Sequence, residues 1–174
     1  MAQALMVQRR IVDGPLVAGI FVLRIFFGLV YLTNGLAKFV PGIAHTPYGF
    51  LIDFEGARGI ITFDAHHNKV DSYRSLADQV LLPNWNVFGN LQGALEVLAG
   101  VLLIVGLAAA WAALLAALLS LHIQFAALYN GEWLYTYAVE WIPLLCLAAL
   151  RPGRWLGLDG AIVACRRASR ETAR

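Results

Sequence analysis

The chain has 174 residues, of which 60% are hydrophobic and 14% are charged, and its mean hydropathy is +0.67. One small core cannot bury so much apolar surface, so the composition excludes a soluble globular domain and predicts a single membrane domain over residues 1–174. The net charge is +2, and the arginines gather near the two ends of the chain. Basic residues that flank apolar segments are typical of membrane topology signals, so a nucleic-acid partner is not predicted.

Four apolar segments approach the length of about 20 residues that a bilayer requires. They lie at about 16–39, 87–106, 107–129 and 134–150, and they predict an all-α, integral membrane bundle of four transmembrane helices. The first segment follows Arg9 and Arg10 like a signal peptide. It is too long for one and lacks a small-residue cleavage site, so we predict a retained helix.

The 41–86 connection is too long to serve only as a link between spans. Apolar side chains recur at helical spacing over residues 73–81, after Asp71 and before Pro83, so we predict an interfacial helix over the outer end of the bundle. A second interfacial helix is expected near residues 162–168, on the inner surface. The arginine-rich ends predict that both termini are cytoplasmic and that the 41–86 loop faces outward.

Ionisable side chains inside the spans need a partner or a wet cavity, because a charge at the bilayer centre costs at least about 2.5–3.5 kcal/mol. A rise of about 1.5 Å per residue places most of these side chains in the outer half of the membrane. They predict a polar pocket that opens outward. Its candidate residues are Arg24, Tyr31, Lys38, Glu96, His122, Gln124, Tyr137 and Glu140.

Helical phase indicates how these side chains meet. Arg24, Tyr31 and Lys38 share one face of the first span with small residues. Glu96 lies on a glycine-lined face of the second span, where a neighbouring helix can approach closely. Glu140 lies on the polar side of the fourth span. Two cations and two carboxylates can therefore converge. The simpler alternative is a buried Arg24–Glu96 ion pair that fixes helix register, but such pairs contribute little stability.

Other cofactor sites are not indicated. Cys146 and Cys165 lack the spacing of a disulfide loop or a zinc site. His122 has no second intramembrane histidine with which to hold a haem, and the loop histidines, in 41–86, are interpreted as solvated. The sequence therefore shows no haem, flavin or metal site.

Three stretches resemble the DoxX/DoxD-like membrane proteins over about residues 16–160. The first-helix signature is Leu23-Arg24, Gly28, Tyr31, Asn34-Gly35 and Lys38. The stretch 96–107, with its lone glutamate, is similar to the second helix of the family, and residues 151–159 resemble its closing Gly-Arg…Leu-Asp motif. The resemblance implies a four-helix bundle in a bacterial or archaeal cytoplasmic membrane, with Arg24, Lys38 and Glu96 as the motif residues.

The long outer loop resembles the DoxD branch of the family. This resemblance implies that the chain is a membrane subunit of thiosulfate:quinone oxidoreductase, with quinone as cofactor and a DoxA-like second subunit as partner. In this hypothesis Arg24 and Lys38 neutralise a sulfur oxyanion, and Glu96 or Glu140 exchanges protons with the quinone. The quinone ring packs against an aromatic side chain, which is Tyr31, Tyr137 or Trp133. Two alternatives stay open: a non-enzymatic scaffold or assembly factor, and a small-solute or proton-coupled transporter. Lipid is a partner in each, and homo-oligomerisation is undecided.

Overall fold

The structure is a computed structural model that describes residues 2–40, 42–44, 51–128, 133, 135–154 and 156–172, with side chains from residue 14 onward. Its regular elements are all helices in this part of the chain. In chain order they are α1 (Ala2–Ala37), α2 (Phe54–His67), α3 (Asp71–Leu76), α4 (Trp85–Val105), α5 (Ala109–Ala126), α6 (Ala138–Leu150) and α7 (Leu158–Thr172). A π-helical turn, Ala77–Leu81, continues α3, and a 3₁₀ turn, Pro152–Arg154, joins α6 to α7. The predicted all-α class is therefore confirmed.

Three of these helices are long and apolar enough to cross a membrane: residues Gly14–Ala37 of α1, and the whole of α4 and α5. The fourth predicted span is present as α6, which is apolar but has only 13 residues. These helices confirm a helical membrane bundle. Some predicted features lie outside the described residues, namely His45, the end of the third span at 129, most of the 130–133 turn and the start of the fourth span at 134.

α1 and α4 pack closely because glycines lie on both facing surfaces. A methyl group added at Gly35 would lie 2.7 Å from the amide nitrogen of Val97, and one added at Gly28 would lie 2.7 Å from the side chain of Ile104. Only a residue without a side chain permits such a backbone approach. This packing brings Lys38, directly after α1, to the level of Glu96 on α4.

α5 faces the bundle with small side chains and receives α6. Leu144 and Leu147 of α6 are fully buried in the same core as Phe27 and Leu103. The buried small residues of α5 include Ala112, Ala113, Ala116 and Ala117. Because alanine adds little width, the two helices pack side by side and place Glu140 of α6 beside Ser120 of α5.

α2 and α3 form a lobe over one end of the bundle, which we call the outer end in keeping with the predicted topology. Ile61, Tyr73 and Trp85 belong to its apolar core. The buried Asn68 side chain donates hydrogen bonds to the carbonyls of Phe125, at 2.8 Å, and of Ala126, at 3.0 Å. These bonds bring side-chain donors to carbonyls in the last turn of α5 and tie the lobe to that end of the helix. The predicted interfacial helix is present as α3 and its π-helical turn, whereas α2 was not predicted.

The opposite end of the bundle is closed by the segment that follows α6. Gly106 ends α4 in the left-handed region, with φ +73°, where glycine carries no steric penalty. The Asp159 carboxylate, at the start of α7, accepts hydrogen bonds from the amides of Ala108, at 2.8 Å, and Ala109, at 3.1 Å. Asp159 thus caps α5 from a distant part of the chain and ties α7 to the α4–α5 turn. The helix expected near 162–168 is α7.

Candidate functional site

A cavity of about 230 Å³ lies between α1, α4 and α6, beneath α2. It exists because α1 and α6 hardly touch each other, although each packs well against another helix of the bundle. The residues that line it are Asn34, Lys38, Ile52, Ala57, Ile60, Ile61, Gln92, Glu96, Ile123, Tyr137 and Glu140. Ionisable and amide side chains therefore share one small space with four isoleucines.

A buried ion pair forms one side of this cavity. The Nζ atom of Lys38 donates to Oε2 of Glu96 at 2.6 Å and to the carbonyl oxygen of Asn34 at 3.3 Å. Gln92, one turn before Glu96, donates from Nε2 to Oε1 of Glu96 at 3.0 Å. Both charged residues are less than a tenth exposed. The pair joins α1 to α4. The hydrogen bonds from Gln92 and to the Asn34 carbonyl give each buried charge a second partner, which a charge removed from water needs.

A second carboxyl group, that of Glu140, faces the cavity from α6. Its Oε2 atom accepts a hydrogen bond from the Ser120 hydroxyl at 2.9 Å, and the Tyr31 hydroxyl lies beside it. Tyr31 itself donates to the carbonyl of Ala116 at 2.7 Å. In the described part of the chain, the partners of Glu140 are hydroxyl groups and not a cation. Among the described residues, the cavity therefore has two carboxyl groups for one ammonium group, and these three groups are net negative when both carboxyls are ionised.

Arg24 does not reach this cavity, so the predicted convergence of two cations is wrong, and so is the alternative Arg24–Glu96 pair. The guanidinium donates from Nη1 to the Pro152 carbonyl at 3.2 Å and from Nη2 to the Leu156 carbonyl at 2.9 Å. Arg24 precedes Lys38 by 14 residues, a distance of about 21 Å along a helix axis. The segment after α6 folds back against α1 at that level and supplies the acceptors.

The other candidate residues are divided between the cavity and its surroundings. Tyr137 lines the cavity, together with three predicted charged residues, and Tyr31 lies behind Glu140. Gln124 accepts a hydrogen bond from the Trp141 indole and does not line the cavity. His122 faces the ring of Tyr73, with 6.3 Å between the ring centroids, and so belongs to the contact with the outer lobe.

Three polar residues at the site were not predicted: Asn34, Gln92 and Ser120. Each lies one helical turn before a residue that was a candidate, so extending the helical phase by one turn would have found them. The apolar wall had no such signal. Ile60 and Ile61 lie on α2, whose position over the cavity depends on the packing of the whole outer lobe.

The fold and the site together define a helical membrane protein with a small cavity, lined by both polar and apolar side chains, at one end of its bundle. A family model described as DoxX matches residues 19–128, which is more than half of the chain. The chain therefore belongs to the DoxX family. The matched region runs from α1 to the end of α5 and includes Lys38 and Glu96. No curated protein and no solved structure matched the sequence.

Proposed function

We propose that the chain is a membrane subunit of a quinone-linked oxidoreductase, and that its outer cavity binds the ring of a quinone. The observation that carries the proposal is that one cavity, with walls of isoleucine, is lined by both the Lys38–Glu96 ion pair and a second carboxyl group, that of Glu140. Such a mixture of apolar walls and few polar groups is typical of small-molecule sites. At about 230 Å³ the cavity exceeds the roughly 150 Å³ that accommodate benzene in an engineered site. The volume is therefore large enough for a substituted ring.

The lining residues match the hydrogen-bonding needs of a quinone. Its two carbonyl oxygens accept hydrogen bonds, and the side chains of Lys38, Asn34 and Gln92 are donors. Reduction of a quinone to a quinol takes up two electrons and two protons. In this proposal Glu140, which is held by hydroxyl groups, and Glu96, which is paired with an ammonium, exchange those protons with the ring oxygens. The electrons come from a donor bound elsewhere.

The same charges argue against an anion in the cavity. Arg24 lies at the far end of the bundle, and among the described residues one ammonium faces two carboxyl groups. When both carboxyls are ionised, a doubly charged sulfur oxyanion would meet net repulsion. We therefore propose that a small sulfur compound such as thiosulfate is oxidised on a second, DoxA-like subunit, which passes its electrons to the quinone. Family membership and the resemblance of the outer loop to the DoxD branch support this part of the proposal.

Photolabelling tests the quinone site. Membranes that contain the full chain are exposed to a photoreactive benzoquinone with an isoprenoid tail, and the labelled peptides are mapped. We expect labels on residues of α1, α2 and α6 that border the cavity. Gln92→Leu weakens labelling about two- to twelvefold, because it removes a side-chain donor to a quinone carbonyl and such hydrogen bonds are worth about 0.5–1.5 kcal/mol.

Glu171→Gln is the matched control, since Glu171 is exposed near the end of α7 and far from the cavity. It should label like the wild type. Equal labelling in all three proteins, or labels restricted to lipid-facing residues, would contradict the quinone site. The redox role is tested separately: the chain with its membrane partners must reduce a quinone analogue when it is given thiosulfate.

A scaffold function is the second candidate, and the buried Lys38–Glu96 pair favours it. The two groups satisfy each other at 2.6 Å, as groups that only hold helices together would do. In that case Glu96→Gln lowers the amount of assembled complex and leaves the turnover of each remaining complex unchanged. A quinone-binding role lowers the turnover per complex as well.

A further inference from the structure

A second cavity lies at the end of the bundle opposite the proposed quinone site. It has a volume of about 530 Å³ and is bounded by the start of α5, the 3₁₀ turn after α6, and α7. Three arginines line it, which are Arg151, Arg154 and Arg166. Arg151 ends α6, Arg154 lies in the 3₁₀ turn and Arg166 lies on α7. The Asp159 cap fixes α7 against the start of α5.

The three guanidinium groups are uncompensated in the described part of the chain. They are exposed, and they make no ion pair or side-chain hydrogen bond with any residue that the structure describes. Among the residues that the structure describes, the carboxylate at the cavity is that of Asp159, which already accepts hydrogen bonds from the amides of Ala108 and Ala109. Three positive charges against one negative charge leave a net charge of about +2, which favours an anionic ligand.

The surroundings of the cavity indicate that this anion carries an apolar part. Trp111 is 74% exposed on the first turn of α5, and Ile162 is 38% exposed on α7. On α7 the apolar residues Leu158, Ile162 and Cys165 share one face, and the arginines occupy the other. A basic amphipathic helix of this kind lies in the interface of a bilayer, and tryptophan is enriched at the headgroup level.

We propose that this cavity binds the phosphate of an anionic phospholipid, with the acyl chains passing along Trp111 and the apolar face of α7. Guanidinium groups bind phosphate oxygens in a bidentate manner, and basic pockets between membrane helices bind anionic headgroups. The bound lipid would link α5 to α7 next to the Asp159 cap. This inference does not depend on the proposed quinone site, which lies at the other end of the bundle.

Native mass spectrometry of the full chain in detergent tests the proposal. Phosphatidylglycerol is added at increasing concentration, phosphatidylcholine serves as the neutral lipid, and inorganic phosphate serves as the competing free anion. We expect retention of phosphatidylglycerol in preference to phosphatidylcholine. Arg166→Gln should weaken retention about fivefold, the effect of one basic residue at a membrane surface.

Arg170→Gln is the matched control, because Arg170 lies on the same helix one turn beyond the cavity. It should bind phosphatidylglycerol like the wild type, and both variants should unfold at the wild-type temperature, since both arginines are exposed. Equal loss in the two variants would overturn the site in favour of diffuse surface attraction. Equal retention of the two lipids, or displacement of the lipid by inorganic phosphate, would overturn the assignment of a phospholipid.

Discussion

Glu96→Gln breaks the ion pair that joins α1 to α4, and it should destabilise the protein by about 3–5 kcal/mol. The two charged atoms are 2.6 Å apart. At an effective dielectric constant of about 20 their attraction is about 6 kcal/mol. Desolvation costs several kcal/mol for each ion, so the intact pair is close to neutral. Removal of one partner cancels this attraction and leaves the ammonium of Lys38 buried without the carboxylate that it contacts, and that loss is the source of the destabilisation.

A double-mutant cycle measures this effect as the free energy of unfolding in mixed micelles. Lys38→Met alone should also cost about 3–5 kcal/mol, whereas the double variant should recover most of either loss because neither charge of the pair remains. Glu55→Gln is the control, since its partner Arg58 is exposed and 3.9 Å away, and it should change stability by at most about 1 kcal/mol. If the two single losses simply add in the double variant, the coupling between the buried charges is refuted.

Two further predictions concern packing and pH. Gly35→Ala should lower the free energy of unfolding by about 1–3 kcal/mol, because the added methyl group meets the backbone of α4. Gly19→Ala is the control on the same helix, and it should be neutral or stabilising because the space around Gly19 is open. Thermal unfolding measures both variants, and similar melting temperatures would contradict the close packing of α1 on α4. In the outer lobe, burial and the nearby Asp64 carboxylate raise the pKa of Tyr73 to about 12. Because this folded-state pKa exceeds the unfolded value of about 10, the stability that Tyr73 contributes is complete below pH 10 and is lost between about pH 10 and 12. Tyr73→Phe should lack this loss, and a tyrosinate absorbance titration with a midpoint near 10 for this residue would contradict the prediction.

Local patterns were enough to predict the membrane helices and part of the site. Hydropathy located α1, α4, α5 and α6, although it set the start of the fourth span at 134 and the regular helix begins at Ala138. Helical phase placed Lys38, Glu96, Tyr137 and Glu140 toward the bundle interior, and all four line one cavity. These features depend on residues within a few helical turns of one another, so they can be predicted from the order of residues in the sequence.

Long-range packing decided the features that were missed. Arg24 was predicted to share the outer pocket with Glu96, but its acceptors are carbonyls at 152 and 156, which approach only because the chain folds back after α6. α2 was not predicted, and its isoleucines form a wall of the cavity only because the outer lobe packs on α4 and α5.

The sequence by itself determined that this is a membrane protein, because its apolar segments are too long and too many to be buried in one small soluble core. It also determined which faces of the helices carry charge and which carry glycine. Only the tertiary structure decided which charges meet. The contacts between charged side chains depend on which helices become neighbours and on where the segment after α6 folds back. The same packing leaves the gap between α1 and α6 in which the cavity lies.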